Sequence, residues 1–254
     1  MSGVLALIKR DLKFFFLTPQ FYWLAFICTL LWSPIYVYSF GMFLTQVVSL
    51  LGGNGEYLTY QSRVLSEFVG LIHFILLILV NSITMRLLSE EKRNHTFVLL
   101  LTSPLSSWQI VLAKYVVGFI VTAALVFIAF LYPVTTSLMG KIDWAPVLCS
   151  FAGLLFFTAL YVAVGLMVSA ITKSVLMAFV LALILNLGLW FLGSGVEVAE
   201  SDFWITFFKT INLDPIFKDF TQGVFRLQGL VFISSLTVFF LATTERLMEA
   251  ARWE

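Results

Sequence analysis

Charge is scarce in this sequence. Only 11% of its residues are Asp, Glu, Lys or Arg, less than half of the roughly 25% usual in soluble chains. Histidine and cysteine are scarcer still, with two of each. The chain therefore lacks the clustered nucleophile, base or metal shell that an enzyme site requires, and no metal or cofactor site is expected on it. Cys28 and Cys149 both fall inside apolar runs and read as small packed side chains rather than a disulfide or a metal pair. A net charge of +1 gives no basis for binding nucleic acid. A phosphate-wrapping P-loop needs Gly-x4-Gly-Lys-Ser/Thr. Here the one Gly-Lys pair, Gly140-Lys141, is followed by Ile142 and has no upstream glycine at that spacing. No internal repeat and no low-complexity linker divides residues 1–254, which read as a single domain.

Apolar residues are abundant, at 61%, with a mean hydropathy of +1.01. Their runs reach the length of about 20 residues that a membrane-crossing helix needs. They are apolar on all sides, so they do not read as the alternating strands of a β-barrel. The chain reads as an all-α membrane protein with six spans, at 21–43, 64–88, 108–139, 146–171, 174–193 and 227–244. Before them, residues 1–18 form an amphipathic interfacial helix. Val4, Leu5, Leu7, Ile8, Leu12, Phe15 and Phe16 cover one face, with Lys9, Arg10, Asp11 and Lys13 on the other, and Thr18-Pro19 ends it. The first apolar run is too long for a signal peptide and lacks a small-residue cleavage site. Gly52-Gly53-Asn54-Gly55 marks a turn after the first span.

Lysine and arginine divide unevenly between the two sides. Lys9, Arg10, Lys13, Arg86, Lys92, Arg93, Lys114, Lys173, Arg246 and Arg252 collect on one side. Arg63, Lys141, Lys209, Lys218 and Arg226 lie on the other. The richer side is expected to be cytoplasmic, which puts both termini there, as an even number of spans requires.

Within this apolar chain the run SEEKRNHTFVLLLTSP, residues 89–104, is an anomaly. A charge at the bilayer centre costs about 2.5–3.5 kcal/mol on the insertion scale, so Glu90, Glu91, Lys92 and Arg93 belong in the cytoplasm below the second span. Asn94 suits the N-cap of a short helix, with Phe97, Val98, Leu100 and Leu101 on one face and Pro104 after its end. Periodicity alone does not separate an element floating on lipid from one docking into a soluble partner.

Residues Arg86–Tyr115 resemble the cytoplasmic signature of ABC-2-type transporter permeases: Glu-Glu-Lys/Arg-Arg/Lys-x-x-Thr, then Leu-Leu-x-Ser/Thr-x-Pro, then Lys and an aromatic. Glu90, Glu91, Lys92, Arg93, Thr96, Leu99, Leu100, Thr102, Pro104, Lys114 and Tyr115 match it. His95 stands where relatives commonly have Gly. The N-terminal LIKRDLKFFFLTP and the tail from Phe217 are similar to the same family, and its gliding-motility-type branch is the nearest in pattern.

That resemblance implies that residues 89–104 are a coupling helix. Glu90, Glu91, Lys92, Arg93, Asn94, Thr96, Phe97, Leu100 and Leu101 would then face a separate ABC ATPase, the holder of ATP and Mg. Lys9, Arg10 and Lys13 of the interfacial helix would make a second contact. It further implies a second copy or a homologous permease, a bacterial inner-membrane location, and export or mechanical work on a large accessory membrane protein. A stand-alone carrier or channel would be expected to show internal repeats and helices broken at mid-membrane. It remains the alternative, with an integral membrane enzyme behind it.

Residues 194–226 read as external amphipathic helices at or dipping into the outer leaflet, one over Asp202–Ile211 with Ser201 as its cap and one with Asp214 as its cap, Pro215 at the first helical position and Gly223 as the residue after its end. The candidate pathway or gate residues are Glu67, His73, Asn81, Phe207, Phe217 and Phe220, with Glu67 and His73 in the outer half of the second span and near water. Asn81 and Asn186 suit interhelical bonding instead. Gly165 and Ser169 form a small-xxx-small pair that permits close helix approach.

Overall fold

A backbone in lipid finds no water to bond, so its polar groups pair within helices. The computed structural model describes residues 2–50, 60, 64–103, 105–138, 140–197 and 201–253, with no strand among them. The turn expected at residues 52–55, Arg63, Pro104 and Met139 lie outside the described residues.

The elements are α1 (Ser2–Leu17), α2 (Pro19–Leu50), α3 (Ser66–Thr84), α4 (Ser89–Arg93), α5 (Phe97–Leu101), α6 (Ser107–Ser137), α7 (Trp144–Ile171), α8 (Val175–Phe191), α9 (Asp202–Ile211), α10 (Asp214–Thr221) and α11 (Leu227–Trp253). A 3-10 turn, Leu192–Glu197, continues α8. Among the described residues five stretches are long and apolar enough to cross a membrane: α2, α3 with its continuation into α4, α6, α7 and α11. The 17 residues of α8 reach only about 25 Å at 1.5 Å each, less than the ~30 Å hydrocarbon core.

Local chemistry sets several boundaries. Thr18-Pro19 separates α1 from α2, with Pro19 at the first helical position, where its missing N–H costs nothing. A capping box starts α6: Ser106 Oγ accepts from Gln109 N at 3.3 Å, and Ser106 N donates to Gln109 Oε1 at 3.1 Å. The last span runs well beyond residue 244. Leu241, Thr244, Glu245 and Met248 continue one buried stripe at helical spacing, so α11 holds together past the last apolar run.

The central helix is α7, which packs on α3, α6, α8, α10 and α11. It approaches α3 so closely that a Cβ at Gly165 would meet Thr84 Oγ1 at 2.1 Å. The small pair at residues 165 and 169 therefore does place two backbones side by side. Asn186 of α8 donates to Asn81 Oδ1 of α3 at 2.7 Å, both fully buried, and this is the interhelical bond expected of them.

One end of the bundle gathers α1, the α4–α5 elbow and the C-terminal ends of α7 and α11. Ser169 bonds Leu88 and Ser89, and Arg252 Nη2 donates to Leu105 O at 3.1 Å. At the far end α10 wedges between the start of α7, where Ser150 Oγ donates to Phe220 O at 3.3 Å, and Gly229 of α11. The two amphipathic helices expected after α8 are present as α9 and α10, although Ser201, at the N-cap position of α9, makes no side-chain cap bond.

Candidate functional site

The elbow is two helices rather than one. The chain leaves α3 through a tight turn at 85–88, because the N–H groups of Leu88 and Ser89 are taken by Ser169 Oγ, at 3.0 and 2.9 Å. Ser169 thus caps α4 from a different helix, satisfying N–H groups that a helix start leaves open. The Lys92 ammonium donates in turn to the Ala170 carbonyl, one of the last carbonyls of α7. The same ammonium lies 5.0 Å from the Phe97 ring centre, a cation–π contact. The helix α3 therefore ends at Thr84, and residues 85–88 turn into α4 where α7 intercepts their backbone bonds.

A Schellman motif ends α4. Thr96 N donates to Glu91 O at 3.0 Å and His95 N to Lys92 O at 3.3 Å, while His95 takes φ +56°. This corrects Asn94, which is the C-cap of α4 and not the N-cap of a helix. It also explains the position of His95. The motif wants a left-handed residue, for which Gly is suited and His tolerated at a cost. The same motif closes α10, where Val224 N donates to Asp219 O at 2.8 Å and Gly223 takes φ +78°.

α5 does not present a single apolar face outward. Leu100 is buried, Phe97 is half-buried beneath Lys92, and Val98 is 63% exposed. Leu101 belongs to the helix, but its side chain lies outside the described residues. Thr96, Arg93 and Asn94 are exposed, and Glu90 is half-buried. Among the apolar candidates with described side chains, Val98 is the one fully available to a partner.

An ion cluster holds this elbow. Lys114 projects from α6 with its side chain only 4% exposed. Its Nζ donates to Glu91 Oε1 of α4 at 2.7 Å. It also lies 2.7 Å from Asp11 Oδ2 of α1, in an ionic contact without hydrogen-bond alignment. Arg10 closes the ring, with Nε 2.8 Å from Asp11 Oδ1 and Nη2 3.1 Å from Glu91 Oε1. Burial, the largest single influence on Arg10, lowers its pKa, but Asp11 and Glu91 together outweigh it and raise it above the ordinary value. Two cations and two anions cancel, so three elements share a neutral, mostly buried joint. A cleft of about 670 Å³ opens beside it, lined by Arg10, Phe14, Arg86, Glu90, Thr96 and Leu105 among others.

Of the interfacial-helix residues, only Arg10 reaches the elbow, while Lys9 and Lys13 are exposed. Asp11 was assigned to the charged face and instead lies on the buried one, in the i, i+4 series Leu7, Asp11, Phe15. Leu5 conversely is exposed. Lys114 was a motif match with no role attached. The signal that reveals both is energetic: a lysine in an apolar helix needs anions, and Asp11 and Glu91 are close to its end of the bundle.

The candidate gate residues separate into groups. His73 does not lie near water. It is 1% exposed and its Nε2 is 2.7 Å from the Tyr161 hydroxyl, inside a ring of Phe157, Tyr161, Trp190 and Phe217. Phe217 of α10 approaches His73 most closely of these rings, at 4.1 Å between centres. Phe220 is also buried, but against Gly153 and Phe156 of α7. Glu67 is exposed in the first turn of α3, a position that favours an acid. Phe207 is exposed on α9, and Asn81 is committed to Asn186. Of the six candidate gate residues, His73 and Phe217 are in ring contact.

No curated protein matches the chain. The family profile described as ABC-2 type transporter matches residues 2–215. That match reaches the family and carries nothing about the gliding-motility-type branch. It spans most of the 254 residues, and the chain belongs to the ABC-2 type transporter family, the multi-pass membrane components of ABC transporters.

Proposed function

We propose that this chain is the permease subunit of an ABC-2-type exporter in the bacterial inner membrane, with both termini cytoplasmic, and that the α4–α5 elbow takes up motion from a separate ATPase. The observation that carries this reading is the ion cluster joining Lys114 of α6 to Glu91 of the elbow and Asp11 of α1. An elbow that only floated on headgroups would need no buried tether to a spanning helix. An elbow that receives force does, and Lys114 fastens it to α6 while Ser169 fastens it to α7.

The reading counts six crossings. α2 leaves the elbow end, α3 returns, α6 leaves and α7 returns. α11 ends beside Leu105, so α8 takes the chain outward once more. Its 17 helical residues and the six of the 3-10 turn extend to about 37 Å together, enough for the hydrocarbon core. Each chain's bundle is filled by α7, so a pathway would lie between two permease chains, a second copy or a homologue. ATP and Mg belong to the ATPase. The output at the far end is export or mechanical work on an accessory membrane partner.

Co-expression with a candidate ABC ATPase tests this. Val98→Asp places a charge on the exposed apolar residue of α5 and is expected to abolish ATPase co-purification while the permease stays inserted. Undiminished co-purification counts against docking through the elbow.

A further inference from the structure

At the far end of the bundle a second cleft, of about 430 Å³, lies between α9, α10 and the start of α11. Polar side chains, Thr206, Lys209, Asn212, Asp219, Arg226 and Gln228 among them, share its walls with apolar Phe232. Three of these side chains are charged, two cations and one anion. Arg226 spends one edge of its guanidinium on Asp219, Nε to Oδ2 at 3.2 Å. Lys209 makes no ion pair among the described residues. The described lining therefore carries a net positive charge, with hydroxyls and amides beside it.

The walls fix the depth of this cleft. On α9, Thr206, Lys209 and Thr210 share the face that lines it. Phe203, Trp204 and Phe207 share another face and are exposed. Exposed aromatics on an amphipathic helix sit at the boundary between acyl chains and headgroups. The cleft then opens at headgroup depth with apolar rings next to its mouth. On the other side, Gly229 lets α11 press against α10, since a Cβ there would lie 2.6 Å from Ile216 Cγ2. Nearby Lys218 is held by Asp214 at 2.7 Å and leaves Lys209 and Arg226 as the cations of the site.

We infer that this cleft is a binding site for the anionic headgroup of a lipid in the leaflet at that end. The headgroup phosphate sits between Lys209 and Arg226, with Asn212 and Gln228 as hydrogen-bond partners and the acyl chains along Phe203 and Phe207. Its chemistry is a charge-assisted phosphate contact combined with apolar contact, which a free phosphate would use only in part. The inference needs only the membrane placement of the chain and no ATPase, so its failure leaves the permease reading untouched.

Native mass spectrometry of the full chain in detergent tests it, with phosphatidylglycerol, phosphatidylcholine and soluble glycerol 3-phosphate as separate probes. The expected result is preferential retention of phosphatidylglycerol and no retained glycerol 3-phosphate. The double variant Lys209→Gln/Arg226→Gln should lose that preference by about tenfold or more, given the attraction of each cation for anionic lipid. Lys209→Gln alone, which breaks no ion pair among the described residues, should lose part of it. Lys141→Gln removes a cation from a different cleft at that end and should keep it. Unchanged preference in both Lys209 variants, or an equal loss in Lys141→Gln, overturns the site. Retention of glycerol 3-phosphate as strong as that of the lipid reassigns it to a free phosphate ester and overturns the lipid inference.

Discussion

The Lys114 ammonium lies 2.7 Å from Glu91 Oε1, which joins a spanning helix to the α4–α5 elbow through one buried ion pair. Removing a single member leaves a buried charge uncompensated, at a cost of about 3–5 kcal/mol. Lys114→Met, Asp11→Asn and Glu91→Gln should each lower the thermal midpoint of the purified protein strongly. Arg10→Ala should matter little, about 1 kcal/mol or less, because its side chain is 61% exposed. Lys114→Met combined with Asp11→Asn and Glu91→Gln removes the charges together, and it should recover much of the loss seen in Lys114→Met. A triple variant no more stable than that single variant would show that the cluster is not the joint described here.

His95 offers an opposite sign. At φ +56°, Gly fits the Schellman position and His carries roughly 1 kcal/mol of backbone cost. His95→Gly should raise stability by about that amount, provided the freedom Gly adds to the unfolded chain does not offset it. His95→Val should lower it by more, because a β-branched residue resists the left-handed region. Limited proteolysis at the elbow reads both, and equal cleavage of the two variants would refute the motif.

Ser169→Ala deletes the acceptor for two backbone N–H groups. The expected local signature is faster amide exchange at Leu88 and Ser89, with a loss of about 1–3 kcal/mol for the buried donors left unpaired. Exchange at Thr102, beyond the second elbow helix, should be unchanged.

The ring around His73 makes a prediction about packing. Phe217→Ala leaves a hole where α10 enters the bundle and should cost about 3–5 kcal/mol. His73→Phe with Tyr161→Phe removes both polar partners at once, together with the buried Nδ1 that has no partner, and should be close to neutral in stability. Export unaffected by the double variant would place His73 in packing alone, and export lost with stability intact would return it to the pathway.

Some of this was legible in the sequence because single residues decide it. Thr18-Pro19 stops α1 and Gly223 follows the end of α10, as backbone preference dictates, whereas Asp214, expected as the cap of α10, is its first helical residue and Leu213 holds the cap position. The Asn81–Asn186 bond follows from the rule that polar groups in lipid must find one another. The elbow resisted because its geometry is set from outside: Ser169, some 80 positions away, captures the backbone that would have extended α3. Asp11 was misplaced because a charge in an interfacial helix is assumed to face water. The distant Lys114, together with neighbouring Arg10, makes its burial favourable. α8 is shorter than its apolar run suggests because the last turns tighten to 3-10 after Phe191. Leu100 lies inward because both faces of a five-residue helix are apolar and only one can join the core.

Site-specific photo-crosslinking gives the most direct test of the elbow as the ATPase contact. A photoreactive residue at Val98, exposed on α5, is compared with one at Phe203, exposed on α9 at the far end, in membranes containing the co-expressed ATPase. The account predicts an ATPase adduct from position 98 and none from position 203. Lipid adducts alone from position 98, with the ATPase present, would contradict it.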